Sequence, residues 1–94
     1  FGTRALLRRL RPRFPASLSG APLLLPGARS EARRLVDAWL AGRGLAPRVV
    51  GEFDDAGLRE AFGAAGAGLF FAPMLIAPAL AKVYGVACAG TLPD

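Results

Sequence analysis

The sequence predicts an α/β fold, a three-layer sandwich in which helices cover both faces of a parallel sheet. Two observations carry that prediction. Short runs bounded by glycine or proline alternate with helical stretches of about a dozen residues, the pattern of right-handed βαβ crossovers. The first run, Pro22-Leu23-Leu24-Leu25-Pro26, is continuously apolar, which suits a strand covered on both faces. At 94 residues, 53% of them hydrophobic but only 9% aromatic, the chain is one small domain dominated by alanine and aliphatic side chains. Such side chains favour close packing of helix on sheet.

Thr3 to Leu10 opens the chain as a helix, with Leu6, Leu7 and Leu10 on one side, and Pro12 and Pro15 end it. A loop from Phe14 to Ala21 leads to the first strand, 22–26. Gly27-Ala28-Arg29-Ser30 turns the chain, and Ser30 is placed to cap a helix whose first turn holds Glu31. In that helix, 31–41, Ala32, Leu35, Val36, Trp39 and Leu40 recur at helical spacing and predict one buried face. Gly42, Gly44 and Pro47 close it.

Arg48 to Phe53 is the second strand. Asp54 or Asp55 caps the next helix, 55–65, with Leu58, Phe62 and Ala65 predicted to face inward. Leu69 to Ala72 is the third strand, Met74 to Tyr84 a further helix with Ile76, Leu80 and Val83 on one side, and Val86 to Ala89 a fourth, weaker strand. Pro78 is compatible with that helix only in its first turn.

Several function classes fall away. With no histidine and a single cysteine, Cys88, the chain has no disulfide and no usual nitrogen and sulfur ligand set for zinc. A Ser-His or Cys-His nucleophile cannot be assembled either. The glycines of GAAGAGLFFAP, Gly63 to Pro73, trail a helix and lead into a strand, whereas a phosphate-binding loop follows a strand and opens a helix. They predict a helix C-cap and a tight turn. Ala61 to Ala81 carries no charge, but three glycines and two prolines break it, against a membrane span. No signal peptide is expected at the amino terminus. Arg4, Arg8, Arg9, Arg11 and Arg13 read as a solvated helix face, with phosphate binding the alternative. Trp39 reads as core, Cys88 as an inert buried thiol, and Met74 as a gap-filler that would otherwise line a cleft.

In an open parallel sheet, ligands bind beyond the carboxyl ends of the strands. Three loops qualify, and they nominate Gly27, Ala28, Arg29 and Ser30 after the first strand, Phe53 and Asp54 after the second, and Ala72 and Pro73 after the third. These are binding groups without a nucleophile-base pair, so recognition is expected rather than catalysis, with no metal and no cofactor.

The string PLLLPGARSEARRLVDAWLAGRGLAPRVVGEFDDAGLREAFGAAGAGLFFAP resembles the effector-binding region of LysR-type transcriptional regulators. VVGEFDDAGLREAFGAAGAGLFFAP and the later KVYGV resemble the NhaR-type branch, regulators associated with sodium/proton antiporter genes and the response to sodium. The resemblance runs from about Phe1 to Val86. It implies that residues 1–94 are the second half of a periplasmic-binding-protein type II-like effector domain, with a small-molecule or ion effector held between two halves. It also implies a cytoplasmic homodimer or tetramer, not membrane-bound, that reaches DNA only through a separate winged helix-turn-helix. Alternatives are a half-domain of an α/β enzyme or of a periplasmic solute-binding protein.

Overall fold

The computed structural model describes residues 1–92. Its sheet has three parallel strands, β1 (Pro22–Pro26), β2 (Arg48–Phe53) and β3 (Leu69–Phe70), in the order β2-β1-β3. Four α-helices accompany them: α1 (Arg4–Leu10), α2 (Glu31–Gly42), α3 (Ala56–Ala64) and α4 (Ala77–Tyr84). Single 3-10 turns occupy Arg11–Arg13, Ala16–Leu18 and Met74–Ile76.

Side chains alternate across the sheet, so consecutive leucines of β1 divide between two cores. Leu23 and Leu25 pack with Leu6, Leu7 and Leu10 of α1 and Val36 and Leu40 of α2. Leu24 packs on the opposite side with Phe70, Leu80 of α4 and Val86. Helices therefore cover both faces, as the uninterrupted apolar run of β1 requires. Phe70 is 1% exposed and stacks on Phe1 at 5.9 Å between ring centroids. Burying a ring of that size stabilises the fold by about 1.5–3 kcal/mol.

The helix ends follow from local chemistry. Thr3 accepts the Leu6 amide at 3.3 Å and starts α1. Ser30 accepts the Arg33 amide at 3.0 Å and starts α2. Asp55, of the two adjacent aspartates, accepts the Leu58 amide at 3.1 Å and starts α3. The glycine-rich stretch ends α3: the Gly66 amide donates to the Gly63 carbonyl at 3.0 Å and the Ala67 amide to the Phe62 carbonyl at 3.1 Å, while Gly66 takes a φ of 90°. That left-handed position favours glycine, and the two bonds satisfy carbonyls the helix leaves free. Pro78 lies in the first turn of α4, where its missing amide costs nothing.

The structure corrects several expectations. β3 ends at Phe70 rather than Ala72, and α4 begins only at Ala77, because Met74–Ile76 forms a separate 3-10 turn. Val86 to Ala89 is not a strand. Ala87 makes one antiparallel bridge to Gly2, and Thr3 then turns the chain into α1, so no further partner is available. Leu58 and Phe62 are exposed, as is Ala65. The buried residue of α3 is Gly63, whose missing side chain lets the helix lie directly on the Phe70 ring. Phe62 instead reaches the Phe53 ring edge-on at 5.1 Å. Leu35 and Val83 are also exposed. Trp39 is half-buried, with the Arg43 guanidinium 5.1 Å from its ring centroid, and Cys88 is half-buried rather than enclosed.

Candidate functional site

Parallel strands place all their carboxyl ends at one edge of the sheet, so the three nominated loops become neighbours. The turns after β1 and β2 are tied together, since the Gly27 amide donates to the Phe53 carbonyl at 3.0 Å. Asp54 lies against Gly27 so closely that a Cβ there would collide with the Asp54 carboxylate. The Ser30 hydroxyl accepts from Arg33 and donates to the Gly27 carbonyl at 2.9 Å, so it serves the cap and the turn. Ala28 and Arg29 are exposed at the tip of this turn.

Behind the turn, Arg33 joins α2 to the sheet. Its Nη1 donates to the Pro26 carbonyl at 3.1 Å and to Glu52, and its Nε donates to Asp37 at 3.0 Å. The Glu52 hydrogen bond, ahead of those from Asp37, holds Arg33 more firmly protonated than an isolated arginine. This cluster fixes the first helical turn against β1 and β2 and leaves the loop edge pre-formed.

A cavity of about 430 Å³ opens beside these loops. Pro26 at the end of β1, Leu35 of α2, and Phe71, Ala72, Pro73 and Met74 after β3 line it, with Arg59 of α3 contributing a charge. Of the nominated residues, Ala72 and Pro73 are in its wall. Gly27, Phe53 and Asp54 form the adjoining turn, and Ala28, Arg29 and Ser30 do not line it.

Arg59 was not among the residues nominated from sequence. Its Nη1 donates to the Phe53 carbonyl at 3.2 Å, while its Nε is buried with no partner among the described residues. A buried donor left unpaired costs about 1–3 kcal/mol. Its position one turn after the Asp55 cap is the signal that could have revealed it, because that turn faces the strand ends. Leu35 was assigned to the core by periodicity, and its exposure follows from its place in the cavity wall. Apolar walls with one guanidinium suit an organic molecule with an apolar body and an anionic end. Among the described residues no group of three or more acidic, cysteine or histidine side chains is placed to hold a metal ion, and no helix is long and apolar enough to cross a membrane.

A family model described as the LysR substrate binding domain matches residues 3–87. The transcriptional activator protein NhaR of Escherichia coli (strain K12) and that of Shigella flexneri are each 47% identical over 64 residues, covering 68% of this chain and 21% of theirs. The chain thus spans a small part of the curated relatives it matches. No solved structure matches it.

Proposed function

Because this chain belongs to the LysR substrate-binding domain family, we propose that it is an effector-sensing half of a transcriptional regulator that controls a sodium/proton antiporter gene. The observation that carries this reading is the 47% identity to a transcriptional activator over 64 residues. A parallel sheet covered on both faces is compatible with one half of a periplasmic-binding-protein type II-like domain. The other half and the DNA-reading domain are supplied elsewhere in the regulator, which acts as a homodimer or tetramer in the cytoplasm.

In this proposal the effector sits in the cavity beside Ala72 and Pro73, with its anionic end on Arg59 and its apolar body against Leu35, Phe71 and Met74. Closure of the second half over it favours one arrangement of the dimer, and that population shift reaches the DNA-reading domains. The effector acts only if it binds one closure state more tightly than the other. Recognition rather than catalysis follows, since none of these contacts needs a nucleophile.

The test is transcription from the adjacent antiporter promoter in cells with and without the full-length gene, with and without added sodium. A sodium-dependent rise that disappears in the deletion strain supports control of the antiporter gene, while the anionic effector is tested by the induced response of the Arg59→Met variant. A response that survives deletion overturns it.

A further inference from the structure

The positive charge of this chain is concentrated rather than dispersed. Residues 1–30 hold six arginines and no acidic residue, whereas the rest of the chain holds six Lys and Arg against seven Asp and Glu. Arg4, Arg8 and Arg11 recur at i, i+4 and i+7 along α1 and the 3-10 turn that follows, so they share one face. All three are exposed and line an open groove of about 720 Å³ together with Leu7, Pro12 and Ala87. Among the described residues, the salt bridges engage Arg33 and Arg34 of α2 and none of these three. Arg11 is held in place by an Nη2 bond to the Cys88 carbonyl at 2.6 Å, the one side-chain bond it makes among the described residues.

Against the expectation that DNA is reached only through a winged helix-turn-helix, we propose that this groove is a nucleic-acid backbone site, separate from the effector cavity, that binds duplex DNA through phosphates without reading its sequence. Guanidinium groups take phosphate oxygens in pairs. The helix sets them about 6 Å and 4.5 Å apart along its axis, on the order of one to two steps of a phosphate strand. An acidic lipid surface fits less well, because Leu6, Leu7 and Leu10 are buried in the core and leave no large apolar side chain of α1 beside the arginines to insert. The inference rests on charge placement and does not depend on the identity of the effector or of the regulated gene.

The experiment is fluorescence anisotropy of a labelled 20-base-pair duplex of arbitrary sequence with the 94-residue chain, from 50 to 200 mM salt. Three variants are compared with it: R4Q/R8Q/R11Q, the single R8Q, and R34Q/R43Q/R48Q, which removes the same charge from other exposed positions. The groove triple is expected to reduce the slope of log affinity against log salt by about 2.7, and R8Q by about 0.9, one counterion term per lost contact. The control triple is expected to retain the wild-type slope. Equal loss in both triples would assign the binding to net charge alone and overturn the groove. So would failure of the wild-type chain to bind at 50 mM salt, or binding to phosphatidylglycerol vesicles without binding to the duplex.

Discussion

Replacing Gly63 with alanine sets two effects against each other. In an exposed helix the change is favourable, because alanine gains about 1 kcal/mol of helix propensity over glycine. In α3 the added methyl would overlap the edge of the Phe70 ring, colliding with two of its carbons. That ring has nowhere to go: it is packed by Leu24, Leu80 and Val86 and stacked on Phe1. Overpacking of a rigid site costs about 1–3 kcal/mol, so G63A is expected to destabilise by roughly 1 kcal/mol net. With a urea slope on the order of 1 kcal/mol per molar, the unfolding midpoint falls by roughly 1 M. A Phe70→Leu background supplies the control. There the collision is relieved, and adding G63A is expected to be neutral or stabilising. If G63A raises the midpoint in the wild-type background, α3 does not rest on Phe70 and the proposed reason for its glycine is wrong.

Ser30→Ala removes the cap of α2 and is expected to cost about 1 kcal/mol, lowering the thermal midpoint by about 4–8 °C, while Ser30→Asp retains most of the stability. An unchanged melt for the alanine variant would mean that the Arg33 cluster holds the helix start unaided. The hydrogen bond from Arg34 holds the Glu31 carboxyl below the usual carboxylate range. A folded-state pKa depressed in this way gives stability that is present above the unfolded value and lost as pH falls through the folded one. Glu31→Gln is therefore expected to be less stable than wild type at neutral pH and to converge with it in acid; a gap in urea midpoint that does not close would refute this. In the full-length regulator, Arg59→Met is expected to abolish the induced response and keep basal transcription, while Arg29→Ala, at the exposed turn, has the smaller effect. The opposite order would move the anionic end of the effector to the turn after β1.

Much of this fold was legible because its signals are local. The proline-bounded leucines of β1 specify a buried strand, Ser30 and Asp55 cap helices through their own side chains, and Gly66 ends α3 through a backbone conformation that favours glycine. The inward face of α3 was misread because periodicity marks large apolar residues. The contact that matters is made by Gly63, which carries no side chain to mark it. Val86 to Ala89 has strand composition but pairs only through the single bridge from Ala87 to Gly2, and pairing is a property of two segments. At the site, strand-end logic reached Ala72 and Pro73 in the cavity wall and the Gly27–Asp54 contact beside it. It passed over Arg59 because a lone arginine in a helical pattern reads as solvated, and only its bond to the Phe53 carbonyl turns it inward.

The two borders of the sheet are treated differently. Beside β3, the Phe70 amide donates to the Phe1 carbonyl at 2.9 Å, so that border is already occupied. Beside β2 nothing is paired among the described residues, and Val49 and Val50 are 45% and 40% exposed, a template on which another chain could extend the ladder. The register shift opposite Leu23 and Leu24 adds Val50 as an unmatched residue and bends the strand, while Arg48 and Glu52 put opposite charges near its ends. An incoming strand would have to reproduce the bulge and answer both charges. The irregularity thus works as a guard against fibrous self-association, and straightening β2 by deleting Val50 would trade that protection for a more regular sheet.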